Sequence, residues 1–144
     1  MDDDRLDLTA LRDSLASLAD GLEVVNDRAW FSAQSSKVRN TLIAGVIQNF
    51  EFVYEVSVKM IRRRLEMDSL TPGRFDAANF RDVLRAAGEA GLISDVEAWF
   101  GYRALRNLTA HTYDHAKAAQ VFAQTTAFIL HARHLLAALD ARDA

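Results

Sequence analysis

At 144 residues the chain fits one domain, 1–144, long enough to bury a core without covalent staples. Half of its residues are hydrophobic and 26% are charged, and a formal net charge of −3 argues against bulk electrostatic binding to duplex nucleic acid. It has no cysteine, which excludes disulfides, thiolate nucleophiles and Cys-ligated metals, and one proline (Pro72) with six glycines, too few breakers for an all-β protein.

The expected setting is a reducing cytoplasm. The acidic start, Met1-Asp2-Asp3-Asp4, lacks the basic and apolar regions of a signal peptide. No apolar run approaches the length of about 18 residues that a membrane helix needs.

In chain order, Leu8, Leu11, Leu15, Leu18, Leu22 and Val25 recur at three- and four-residue intervals and predict an amphipathic helix over about 4–26. One of the leading aspartates is expected to cap it. A loop near 32–36 precedes the longest predicted helix, about 37–67, whose apolar stripe is Ile43, Ile47, Phe50, Tyr54, Val58, Ile61 and Leu65. Beside it runs a polar stripe of Gln48, Glu51, Glu55, Lys59, Arg62 and Glu66, in which Glu55 and Lys59 have the favourable i,i+4 order. Thr71-Pro72-Gly73 breaks the chain. A short helix over about 76–89 follows, with Gly91 just past its end.

Ser94 with Glu97 reads as a capping box for the next helix, with Val96, Phe100, Ala104 and Leu108 as its buried side. Asp114 or Thr112 caps a last helix, about 115–139, whose face is Ala118, Phe122, Thr125, Ile129, Ala132, Leu136 and Leu139. Four long helices and one short one with brief connections predict an all-α, up-and-down four- or five-helix bundle.

The chemistry concentrates in Arg106-Asn107-Leu108-Thr109-Ala110-His111-Thr112-Tyr113-Asp114. A guanidinium binds phosphate oxygens in pairs and stays charged at ordinary pH. An imidazole gives or takes a proton near neutrality. Five residues along a helix subtend about 140°, so Arg106 and His111 do not share a face of a continuous helix, whereas Asn107 and His111 do. Convergence of Arg106 and His111 needs either a helix end near Ala110 or a second subunit.

Arg-Asn-x3-His-x-Tyr at the end of a late bundle helix resembles the signature of the HEPN superfamily, and within it the HepT-like group of nucleotidyltransferase substrate-binding proteins. Gly45-Val-Ile-Gln48-Asn-Phe-Glu51-Phe-Val-Tyr54-Glu55 with Lys59 after it, and Arg85-Ala-Ala-Gly-Glu-Ala-Gly91-Leu92-Ile93, resemble the same group, so the likeness spans about 37–137. Val58 stands where the group commonly has an aromatic; on the apolar stripe, this implies changed packing and not lost chemistry. The resemblance implies a homodimer with facing motifs and, as partner, a minimal nucleotidyltransferase (MNT). It also implies metal-independent RNase activity, or descent from such an enzyme, in a toxin–antitoxin-like pair. Tyr113 matches the tyrosine that accepts AMP from the partner.

Under that reading His111 moves protons, Arg106 stabilises charge on the phosphorane, and Asn107 orients His111 or donates to phosphate. Gln48, Glu51, Glu55 and Lys59 form either a solvated face or a cleft or partner surface. Lys59, Arg62, Arg63 and Arg64 either complement the helix dipole or contact an RNA backbone. Trp99 and Tyr102 either stack a base or are buried. His111 with His115, and His131 with His134, have helical metal-pair spacing but no second pair of ligands, so no metal and no cofactor is expected. Two other functions stay open: a non-catalytic subunit that binds nucleotide or substrate for the transferase, and an interaction module.

Overall fold

A computed structural model describes residues 5–143. The elements are α1 (Thr9–Asn26), α2 (Arg28–Ser32), α3 (Ser36–Asp68), α4 (Phe80–Glu89), α5 (Val96–Arg106), a 3₁₀ turn (Thr109–His111), α6 (His115–Phe122) and α7 (Thr125–Arg142). The all-α bundle expected from periodicity is what forms.

Ion pairs between helix ends show the directions. Arg12 near the start of α1 meets Asp140 near the end of α7, so these two run antiparallel. Arg64 near the end of α3 reaches Asp143 just beyond α7 at 2.8 Å, so α3 and α7 run the same way. The chain therefore passes along the bundle in α1, returns in α3, climbs again in α5, and descends through α6 and α7. The long α3 is the central helix and packs on α1, α4, α5, α6 and α7.

The stripe of α1 is buried as expected at Leu11, Leu15, Leu18, Leu22 and Val25. The helix begins at Thr9 and not near residue 4, because the Asp7 carboxylate accepts from Thr9 N at 3.0 Å and turns the chain there. That hydrogen bond holds the Asp7 carboxyl below its ordinary pKa. The aspartates at positions 2–4 lie outside the described residues. The predicted loop near 32–36 is shortened by α2, which Asp27 caps through Trp30 N. Ser35 then caps α3 through Val38 N.

The short helix starts at Phe80, later than expected, with Asn79 as its cap. Its C-terminus is a Schellman turn: Gly91 N donates to Gly88 O and Leu92 N to Ala87 O, with Gly91 at φ +77°. Asp95, not Ser94, caps α5 through Ala98 N at 3.0 Å. Its buried residues are Trp99, Tyr102 and Leu105, while Ala104 is exposed and Val96, Phe100 and Leu108 are only half-buried. The predicted face was thus rotated. The winning side carries the larger aromatic area, which gains more from leaving water.

The predicted last helix is two helices. Thr125 Oγ1 donates to Phe122 O at 2.7 Å and Gln124 N to Val121 O at 3.0 Å, so the ladder is interrupted without glycine or proline. Beyond the break Phe128 and Leu135 are buried, and Val121 is buried before it; Phe122 and Leu136 are half-buried. Phe50, Tyr54, Trp99, Tyr102 and Phe128 meet ring to ring at the centre, with the Phe128 centroid 4.7 Å from Phe50 and 4.9 Å from Tyr102. Trp99 is fully buried and Tyr102 is 4% exposed, so neither can stack a base.

Candidate active site

The motif straddles the end of α5. Leu108 N bonds back to Leu105 O at 2.9 Å, and Thr109 Oγ1 donates to Arg106 O at 2.7 Å. The helix therefore ends at Arg106, earlier than the end near Ala110 that the sequence suggested, with exposed Asn107 as its cap residue. The 3₁₀ turn then carries His111, and Asp114 caps α6 through Ala116 N and Lys117 N. Of the two expected caps, Asp114 is the one used.

Arg106 and His111 have separate partners. Arg106 Nε donates to Glu55 Oε1 at 3.0 Å, and Nη2 bonds the same oxygen. These bonds raise the Arg106 pKa further above its ordinary value, and the negative charge of Glu51 adds to the effect. Two of the five guanidinium N–H groups are so engaged, leaving the others free for an anion. Both side chains are partly exposed, 35% and 47%, so the pair contributes roughly 0.2–1 kcal/mol, and its main effect is to fix where the guanidinium points. The expected Glu55–Lys59 pair does not form; a planar guanidinium offers two bonds to one carboxylate where an ammonium offers a point charge.

His111 Nδ1 lies 3.1 Å from Tyr113 Oη, and the Tyr113 side chain is otherwise open to solvent, 78% exposed. Beneath the turn, Gln48 and Glu51 of α3 and Thr109 and Thr112 line a cleft of about 460 Å³. It adjoins an apolar hollow of about 280 Å³ between Ile43 and Phe122, where Asn40, Thr112 and His115 are the polar groups; Ala44 and Thr112 line both. Thus Gln48 and Glu51 face the cleft and Glu55 holds Arg106, whereas Lys59 is exposed and makes no hydrogen bond or ion pair among the described residues.

Two of the four residues of the basic cluster at the end of α3, Arg62 and Arg64, are committed to structure, while Lys59 and Arg63 are exposed. Arg62 Nη1 donates to Phe75 O at 2.6 Å and Ala78 O at 3.2 Å, tying down the segment before α4. Arg64 is buried between Asp68 and Asp143. Neither is available to an RNA backbone. Among the described residues no group of three His, Asp or Glu side chains is placed to hold a metal ion. Two contributors escaped sequence reading. Thr109 is a buried hydroxyl whose bond to Arg106 O ends α5, and Arg103 points its charge, with that of Arg106, toward the buried Tyr54 hydroxyl. The Arg103 role gives no local signal, since it depends on Tyr54 of another helix, whereas the Thr109 bond is a local one, three residues back along the chain.

An α-helical bundle with Arg-Asn-x3-His-x-Tyr at the end of a late helix defines a HEPN-type protein. A family model described as "Nucleotidyltransferase substrate binding protein like" matches residues 6–141, and the chain belongs to this nucleotidyltransferase substrate-binding, HepT-like family. It is 44% identical over 140 residues to a protein of Haemophilus influenzae named "Probable ribonuclease HepT", covering 97% of this chain and 96% of that one. It is also similar to a solved H. influenzae structure described as revealing the fold of a substrate binding domain of a nucleotidyltransferase. The TM-score is 0.90 at 44% identity, covering 93% of this chain and 99% of the other. Among the described residues no helix is long and apolar enough to cross a membrane.

Proposed function

We propose that the protein is a metal-independent endoribonuclease, a homodimeric HEPN component whose partner is a minimal nucleotidyltransferase. The observation that carries this reading is the pairing of His111 Nδ1 with the Tyr113 hydroxyl at 3.1 Å, in a chain whose motif guanidinium, Arg106, is separately fixed by Glu55. The relative named a probable ribonuclease, matched over nearly its whole length, supports it.

RNA carries its own nucleophile. The 2′-hydroxyl attacks the adjacent phosphorus, its proton passes to a base, and the 5′-oxygen leaves with a proton from an acid. His111 serves in proton transfer. The free N–H groups of Arg106 stabilise the charge on the equatorial oxygens. Exposed Asn107 donates to phosphate. Because Arg106 and His111 have separate partners within one subunit, the second copy of the motif across a two-fold axis completes the site.

Tyr113 is the control point. Its exposed hydroxyl attacks the α-phosphorus of ATP bound to the partner; the new bond is O–P, and pyrophosphate leaves. The phenolic proton goes to His111 Nδ1. The AMP group then blocks His111.

The test is cleavage of RNA by the purified protein in EDTA, beside His111→Ala. Cleavage by the wild type alone is expected. Equal cleavage by both removes His111 from the mechanism. No cleavage by either over several RNAs favours the second reading, a non-catalytic subunit that binds nucleotide or substrate for the transferase. The cleft beside Gln48 and Glu51 supports that reading, and titration of nucleotide onto the two-protein complex tests it.

A further inference from the structure

We propose that the face shared by α4 and α5 is a cationic, ring-backed track that binds the phosphate backbone of the RNA and leads it to the motif; this rests on the nuclease reading. Phe80 of α4 and Phe100 of α5 meet edge to face, with centroids 6.4 Å apart at 84°. Three guanidinium groups surround this pair. Arg81 lies 4.9 Å from the centroid of Phe100 and 5.6 Å from that of Phe80, Arg85 lies 5.8 Å from Phe100, and Arg103 lies 4.7 Å from Phe80.

None of the three is in an ion pair among the described residues. Arg81 and Arg85 are exposed and sit four apart on one helix, an arrangement of like charges that weakens an isolated helix. One cation over one ring would suffice to pack α4 on α5. Three cations gathered on two rings make a local positive surface in a chain of net charge −3, and such a surface suits an anionic ligand.

The chemistry fits phosphate. A guanidinium stacked on a ring gives up less freedom when it binds, and it is the exposed Arg81 and Arg85 that can turn their N–H groups to a phosphate, half-buried Arg103 lying toward Tyr54. The row is also continuous with the site. Arg103 is one turn before Arg106 and Asn107 on the same side of α5, about 4.5 Å along the axis from Arg106. The charges of Arg103 and Arg106 both act on Tyr54. On the far side, Arg85 itself lines a hollow together with Arg74, Asp82 and Glu89, and the two carboxylates mark where the track ends. A linear polyanion suits such a row better than the mixed charges of a folded protein partner.

The test uses the full chain carrying His111→Ala, so that RNA is bound without being cut, with and without Arg81→Gln and Arg85→Gln. The probe is a fluorescein-labelled single-stranded RNA of about twenty nucleotides, read by anisotropy over a range of salt. The double substitution is expected to weaken binding about tenfold at low salt and to flatten the slope of log K against log salt by about 1.4, at about 0.7 per lost contact. In the otherwise wild-type chain it should raise KM for the long RNA and leave cleavage of a dinucleotide unchanged. A role in packing alone would shift the thermal midpoint and leave the salt slope as it was.

If the parent binds RNA and the substituted protein has the same affinity and slope, the track is wrong and the nuclease reading stands. Loss of binding on substitution, in a protein whose wild type does not cut, keeps the track and removes the nuclease. A parent that binds no RNA removes both. If RNA binding persists and association with the nucleotidyltransferase is lost, the face is a protein docking site and the proposal falls.

Discussion

Glu55, in the middle of α3, holds the guanidinium of Arg106 from the neighbouring helix, taking Nε–H at 3.0 Å and a second bond from Nη2. Because the pair is partly exposed, Glu55→Gln should cost less than about 1 kcal/mol of stability. It should nevertheless loosen the direction of Arg106. We expect kcat for RNA cleavage to fall about tenfold, with KM little changed, as befits support of a group that acts in the transition state. A wild-type rate in this variant would mean that Arg106 needs no such support.

Tyr113→Phe removes a hydroxyl from an exposed side chain, so urea unfolding should shift by no more than about 0.5 kcal/mol. Incubated with the nucleotidyltransferase and ATP, the variant should gain no AMP by intact-mass spectrometry, while the wild type gains it. Modification of the variant to the same extent would place the acceptor elsewhere.

Phe128 is fully buried and touches the rings of Phe50, Trp99 and Tyr102. Phe128→Ala should therefore destabilise by about 3–5 kcal/mol, from lost transfer energy and the cavity left behind. Equilibrium urea unfolding measures this directly. A loss under about 1 kcal/mol would show that the aromatic cluster is not the centre of the core.

Burial pushes the hydroxyls of Tyr54 and Tyr102 above the ordinary 10.0; Asp95 pushes Tyr102 further, while Arg103 pulls Tyr54 back. Between the unfolded and the raised folded pKa, the native state binds more protons than the unfolded chain. Stability is thus complete below about pH 10 and declines as pH rises through the folded values. The urea midpoint at about pH 11 should lie below that at about pH 9, and Tyr102→Phe should narrow the difference, the proton bound in the native state being then one fewer. An equal difference in the variant would assign the decline to other groups.

Local repetition made much of the bundle legible. The stripe of α1 is legible residue by residue, because apolar side chains three or four positions apart lie on one face of a helix whatever that face meets. Asp114 and Gly91 were legible for the same local reason: a carboxylate reaching the next turn and a backbone at positive φ need no distant partner. The chemical types at Arg106, Asn107, His111 and Tyr113 were likewise written in the string itself.

Distant packing decided the rest. Which side of α5 is inward depends on Tyr54 and Phe128, brought from other helices to meet Trp99 and Tyr102. The break between α6 and α7 has no glycine or proline to announce it and rests on one buried threonine hydroxyl. Residues 55 and 106 become partners only because α5 climbs beside α3, and Arg62 and Arg64 are withdrawn from the surface by carbonyls and carboxylates outside their own helix face. Periodicity records where apolar groups recur along one chain segment; choosing among competing faces and charge partners requires the free energy of contacts between segments, which exists only once the bundle has closed.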